Sequence, residues 1–88
     1  MPSVSATLPV RVLFFGRLRE LSGISEEPAS VPQGATLADL FAAYADRFPI
    51  LGGFRSSLVA SRNQEFAAWD TPIVAGDEIA FLPPVSGG

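Results

Sequence analysis

Residues 36–49 read TLADLFAAYADRFP and carry the strongest pattern in the chain. The apolar residues of this stretch follow the spacing i, i+3, i+4, i+7 and i+11, which places them along one side of a helix. They are Leu37, Leu40, Phe41, Tyr44 and Phe48. Thr36 and Asp39 match a capping box that begins the helix, and Pro49 ends it because a proline ring cannot continue the ladder of hydrogen bonds. The stretch predicts a helix of about three turns with a single apolar stripe.

Segments rich in Val, Ile and Phe lie on both sides of this helix. Before it, residues 9–15 predict a strand, and residues 17–21 predict a short helical turn that ends at Gly23. Residues 24–31 predict a second strand, which Pro28 marks as an edge strand because proline cannot donate to a sheet ladder. After the helix, Gly52 and Gly53 predict a loop. Further strands are predicted at residues 58–62, 66–69 and 79–82.

This order of elements provides only one helix to cover a sheet of four or five strands. We therefore expect an α+β fold with a mixed sheet, in which the first and last strands run parallel at the centre and one main helix covers one face, the arrangement called a β-grasp. Residues 1–9 are expected to form a flexible leader, residues 10–82 the domain, and residues 83–88 an extended tail.

The sheet face that the helix leaves open is predicted to be apolar. Alternation along the first strand places Val12 and Phe14 toward the helix, and it leaves Leu13 and Phe15 on the other side together with Leu82 from the last strand. Exposed apolar groups of this size usually mark a protein interface.

The composition excludes most catalytic and binding classes. The 88 residues contain no cysteine and no histidine, so a thiolate nucleophile, an imidazole base and the usual metal ligands are missing. All six basic residues are arginines, and the net charge of −3 argues against nucleic-acid binding. The clustered acids Glu20, Glu26 and Glu27 have no companion base, so we interpret them as a solvated surface. We expect no bound metal and no catalysis by the chain alone.

The hydropathy pattern gives no membrane span. The longest uncharged stretch, residues 28–38, contains two prolines and a glycine and is shorter than the ~18 apolar residues that a span requires. Residues 1–8 lack the charged and apolar regions of a secretory signal. The expected location is the cytoplasm, without a membrane partner.

The chain finishes with residues 83–88, which read PPVSGG. The two prolines favour an extended backbone, and two glycines without side chains could pass through a channel too narrow for a Cβ atom. A free carboxylate is ionised at pH 7 and is a poor electrophile, so it would need activation, for example by ATP-dependent adenylation. An inert, flexible end is the alternative.

At these residues the chain resembles the small subunit of molybdopterin synthase, the ubiquitin-like sulfur-carrier family often called MoaD. The similarity covers residues 10–88 and rests on three motifs. These are VLFFGRLRE at residues 12–20, GDEIAF at residues 76–81 and PPVSGG at residues 83–88. The resemblance implies that an activating enzyme similar to that of ubiquitin adenylates Gly88 and that the end becomes a thiocarboxylate. The large synthase subunit would then receive the tail, and the sulfur would pass to the cyclic pyranopterin precursor of the molybdenum cofactor.

The same resemblance assigns roles to particular residues. The reactive end would be Gly88, and the partner surface would include Phe15, Arg19, Phe66 and Leu82. The threading tail would comprise Pro84, Val85, Ser86 and Gly87. No cofactor would be bound, since the activating enzyme would use ATP in trans.

Three other functions stay open from the sequence. The chain could carry sulfur for thiazole or another sulfur-containing product. It could be a ubiquitin-like modifier that is joined to lysines, or an interaction module with an inert tail.

Overall fold

The computed structural model describes residues 7–83, so the predicted tail residues 84–88 lie outside the described range. Five strands are present: β1 (Thr7–Phe14), β2 (Glu26–Pro32), β3 (Val59–Arg62), β4 (Glu65–Ala67) and β5 (Glu78–Leu82). The helices are α1 (Arg17–Ser22), α2 (Leu37–Arg47) and α3 (Pro49–Gly52), and a 3₁₀ helix spans Arg55–Ser57. None of the helices in this part of the chain is long and apolar enough to cross a membrane.

The five strands form one mixed sheet with the order β2-β1-β5-β3-β4. β1 and β5 run parallel at the centre, with Val12 opposite Ile79 and Phe14 opposite Phe81. The other neighbours are antiparallel. The predicted β-grasp arrangement is therefore confirmed, with β2 as an edge strand that contains Pro28.

The core lies between one sheet face and α2. The side chains that fill it are fully or almost fully buried: Val10, Val12, Phe14, Ile79 and Phe81 from the sheet, and Leu37, Leu40, Phe41 and Tyr44 from α2. Aromatic rings meet edge to face, with the centroids of Phe14 and Tyr44 4.9 Å apart and those of Phe41 and Phe81 5.1 Å apart. Trp69 stacks on Phe81 at 5.8 Å, so its role is packing.

The capping box predicted for α2 is complete. The Thr36 hydroxyl accepts a hydrogen bond from the Asp39 N–H at 3.3 Å, and the Asp39 carboxylate accepts one from the Thr36 N–H at 3.0 Å. Two of the unpaired donors at the start of the helix are thereby satisfied.

Several element boundaries differ from the predicted ones. β1 begins at Thr7, within the predicted leader, because Thr7 pairs with Pro32 and Pro9 with Ser30. Pro49 ends α2 but also begins α3, since a proline at the first helical position needs no N–H partner. The prediction of a loop at Gly52 was therefore wrong, because that residue closes α3.

Candidate functional site

The sheet side opposite α2, called the open face below, carries the candidate site. Directly paired residues share a face in a sheet, and three register pairs link Leu13 to Ala80, Ala80 to Ser61, and Ser61 to Phe66. Leu82 and Val59 form another pair on the same side, at the end of β5 that leads into the tail. The predicted assignment of strand faces is confirmed, since Val12 and Phe14 are buried on the helix side.

Large apolar side chains reach solvent on this face. Phe66 is 79% exposed and Phe15 is 41% exposed, while Leu13 and Leu82 are half-buried. An aromatic ring in water forgoes the stabilisation that burial would give it, about 1.5–3 kcal/mol for a side chain of this size. Exposure of several such groups on one face is the pattern of a surface that a partner covers.

A groove of about 470 Å³ runs along the open face. Its lining residues are Leu13, Phe15, Ser61, Gln64, Phe66, Glu78, Ala80 and Leu82. The structure thus brings together three of the predicted partner residues, namely Phe15, Phe66 and Leu82. The floor consists of the small residues Ser61 and Ala80, which sequence reasoning had not assigned to the site. No sequence signal marks them, because a small residue becomes a groove floor only once its neighbours on adjacent strands are known.

Arg19, the fourth predicted partner residue, is not among the residues that line this groove. It occupies α1, the short helix that follows Phe15, and its side chain is exposed. It belongs to none of the three ion pairs that involve residues 7–83. Its role stays a prediction from the resemblance.

The turn after β1 closely approaches the first residue of the tail. Gly16 has a φ of +57°, and a Cβ atom at that position would lie 3.2 Å from Cγ of Pro83. The turn therefore packs against the point where the chain leaves the sheet. The predicted threading residues Pro84, Val85, Ser86 and Gly87 and the predicted reactive residue Gly88 lie outside the described residues.

A buried carboxylate braces the opposite end of the sheet. Asp77 accepts hydrogen bonds from Nε of Arg62 at 2.8 Å, from the Val74 N–H at 2.7 Å and from Nδ2 of Asn63 at 2.9 Å. Burial alone would raise the pKa of Asp77, but these three hydrogen bonds and the Arg62 charge outweigh burial and lower the pKa below its ordinary value. The Asp77 carboxylate thereby holds the β3–β4 turn against the turn before β5. In the β3–β4 turn, Asn63 and Gln64 both have positive φ.

The interpretation of Glu27 as part of a solvated acidic surface was wrong. Its carboxylate accepts hydrogen bonds from the Tyr44 hydroxyl and from Nη1 of Arg47, which ties β2 to α2. The hydrogen bond from Tyr44, aided by Arg47, lowers the pKa of Glu27, while burial and the carboxylate raise that of Tyr44. Residues 7–83 contain no group of three or more His, Cys, Asp or Glu side chains placed to hold a metal ion.

Comparison with protein families and curated proteins gives consistent matches. Residues 12–88 match the model of the ThiS family. The chain is 41% identical over 81 residues to the molybdopterin synthase sulfur carrier subunit of Escherichia coli strain K12, covering 90% of this chain and 99% of that protein. It is 32% identical over 84 residues to the protein of the same name from Arabidopsis thaliana, covering 96% of this chain and 88% of that protein.

Solved structures share the fold. The crystal structure of SAMP1 from Haloferax volcanii aligns with a TM-score of 0.77 at 31% identity, covering 91% of this chain and 99% of that one. A chain from the complex of subunits 1 and 2 of molybdopterin-converting factor from Helicobacter pylori aligns with a TM-score of 0.58 at 29% identity, covering 92% and 100%.

Proposed function

This chain belongs to the ThiS family, and from its similarity to named relatives we propose that it is the small, sulfur-carrying subunit of a molybdopterin synthase. Relatives at 41% and 32% identity carry the name of molybdopterin synthase sulfur carrier subunit. The function is to bring sulfur, bound at the carboxyl end of the chain, to the precursor of the molybdenum cofactor.

The observation that carries this proposal is the apolar groove beside the start of the tail. Phe15 and Leu82 line the end of the groove nearest Pro83, and Phe66 lines its far wall. A partner that covers this groove would sit beside the point where the tail begins, so binding the face and receiving the tail would be one event. The large synthase subunit is the proposed partner. In support, the similar chain from Helicobacter pylori is part of a complex of subunits 1 and 2 of molybdopterin-converting factor.

The proposed chemistry takes place at the α-carboxylate of Gly88. A carboxylate oxygen attacks the α-phosphorus of ATP, which releases pyrophosphate and leaves an acyl adenylate. A hydrosulfide-level sulfur nucleophile then displaces AMP and forms a thiocarboxylate. Its sulfur bonds to a carbon of the cyclic pyranopterin precursor in place of an oxygen substituent. Water then cleaves the resulting thioester, which leaves the sulfur on the pterin and restores the Gly88 carboxylate.

The chain itself provides no activating group for these steps. Without Cys, His or Lys it has no obvious nucleophile or base, so activation is assigned to an adenylating enzyme that uses ATP in trans. Arg19 is proposed to contact one of these partners, and the tail residues 84–87 are proposed to thread into them. The reaction is proposed to take place in the cytoplasm.

A protein modifier is the second candidate, and the similarity to SAMP1, a small archaeal modifier protein, favours it. The two functions share an adenylated carboxyl end and differ in the nucleophile that follows. Sulfur gives a thiocarboxylate, whereas a lysine amine gives an amide with another protein.

The decisive test is mass spectrometry of the chain after incubation with the adenylating enzyme, ATP and a sulfur donor. A sulfur carrier gains the mass of one sulfur minus one oxygen at Gly88, and it then converts the pterin precursor when the large subunit is added. The chain with ATP alone should stay unmodified, and deletion of Gly88 should abolish both steps. Pterin sulfuration by the Gly88-deleted chain would refute the proposal, and amide-linked conjugates without thiocarboxylate would favour the modifier.

A further inference from the structure

The groove on the open face has a profile that specifies what can fill it. Across the middle of the sheet, paired residues run from Leu13 through Ala80 and Ser61 to Phe66, which is large, small, small, large. The two walls are three strand spacings apart, about 14 Å between Cα atoms. Once the wall side chains are included, the remaining width accommodates a single row of side chains.

The floor residues of the groove are much less exposed to solvent than Phe66 on its wall. Ser61 is 7% exposed and Ala80 is 6% exposed, although neither has a helix above it. Their neighbours on the adjacent strands shield them, so a partner side chain must protrude to touch them. A flat partner surface would bridge the walls and leave the floor empty, which forfeits dispersion contacts.

The far end of the groove, away from the tail, carries a charge. Among the described residues that line the groove, Glu78 alone is charged. It takes part in none of the ion pairs found within residues 7–83. Arg11, which lies opposite Glu78 in the register, pairs instead with Glu26 at 3.0 Å.

From these observations we infer that the groove receives one ridge of apolar side chains from the large subunit, with a lysine or arginine of that subunit opposite Glu78. The inference rests on the proposed function and makes Ser61, Ala80 and Glu78 determinants of partner specificity. The ridge would lie along β5, with its apolar part beside Leu82 and its basic residue at the other end. The apolar part provides the anchor, and the charge sets the direction in which the ridge lies.

Filling the floor tests the shape of the ridge. Ser61→Ile adds bulk to the floor and favours a strand, and we expect it to weaken binding of the purified large subunit at least tenfold in a calorimetric titration. Ser30→Ile places the same substitution on an exposed residue of β2 outside this groove and should bind like the parent chain. Circular dichroism and the thermal midpoint identify any loss of fold. Unchanged affinity of a folded Ser61→Ile chain would overturn the inference.

The charge is tested separately, and this test does not depend on how Ser61→Ile folds. Glu78→Gln should weaken binding about two- to fivefold at low salt, and the difference should vanish near 1 M salt, because an exposed ion pair is modest and screened. Glu65→Gln removes an exposed carboxylate outside the groove and should leave the affinity unchanged. Equal affinity and equal salt dependence of Glu78→Gln and the parent would contradict a basic residue opposite Glu78.

Sulfur transfer separates failure of this inference from failure of the proposed function. The parent chain, prepared as a thiocarboxylate, is mixed with the large subunit and the pterin precursor. Normal transfer together with normal binding of both groove variants rejects the groove inference and leaves the function intact. Binding without transfer by the parent rejects the sulfur-carrier function, while the two pairs of variants still decide how the groove is filled.

Discussion

Protonation of the Asp77 carboxylate is linked to the stability of the fold. Its pKa is lowered in the folded chain, whereas an unfolded Asp titrates near a pKa of about 3.9. A group with a lowered folded pKa stabilises the fold above its unfolded pKa, and this contribution is lost as the pH falls toward the folded value. We expect the free energy of unfolding of the parent to fall as the pH is lowered from about 5 to 3, as measured by urea titration.

Asp77→Asn tests this linkage. The variant should be less stable at pH 7 by about 1–3 kcal/mol, because Arg62 and the Val74 N–H lose a charged acceptor. Its stability should also vary less than that of the parent between pH 5 and 3. Asp70→Asn changes an exposed aspartate outside this network and serves as the control. A parent and an Asp77→Asn variant with parallel pH profiles would show that Asp77 is not the titrating group.

At the scale of one element, α2 depends first on its cap. The reciprocal hydrogen bonds of Thr36 and Asp39 satisfy donors that otherwise have no partner in the first turn. Thr36→Ala should therefore cost about 1 kcal/mol of unfolding free energy in denaturant titration. In the double variant with Asp39→Ala, the two costs should not simply add, because both residues serve one structure. Strict additivity would mean that the two hydrogen bonds act independently.

The apolar stripe of α2 should matter more than its cap. Leu40 is 4% exposed and belongs to the core between α2 and the sheet. Leu40→Ala is expected to cost about 2–5 kcal/mol, a large part of the total for a domain of this size. Asp46→Ala, on the exposed side of the same helix, should stay within about 0.5 kcal/mol of the parent. A Leu40→Ala variant with the thermal midpoint of the parent would contradict a core role for the stripe.

Features that depend on residues close together along the chain could be predicted from the sequence alone. The α2 stripe, its cap and the alternation of β1 depend on spacing along the chain, so they could be predicted. Glu27 could not be interpreted correctly, because its place on the helix side follows from its pairing with Val12 on another strand. Alternation along the strands predicted Phe15 and Leu82 on the open face, and the resemblance added Phe66. The floor formed by Ser61 and Ala80 became visible only with the register.

At the scale of the whole molecule, one sheet serves two purposes. Its helix side provides the core, with Phe81 fully buried there. Its open side exposes Phe66 and Phe15 to solvent. Because side chains alternate along a β-strand, neighbouring residues lie on opposite sides of the sheet. On β5, Phe81 faces the core and Leu82 lies on the open side.

Two identical substitutions, one on each side of the sheet, test this separation. Phe81→Ala should cost about 3–5 kcal/mol and lower the thermal midpoint, since it removes a ring that contacts Phe14, Phe41 and Trp69. Phe66→Ala should keep the midpoint of the parent, because its ring is 79% exposed. Its affinity for the large subunit should nevertheless fall about tenfold or more, since a large exposed aromatic ring is the typical anchor of an interface. A Phe66→Ala chain that unfolds as readily as Phe81→Ala, or that binds like the parent, would show that the open side does not divide binding from folding in this way.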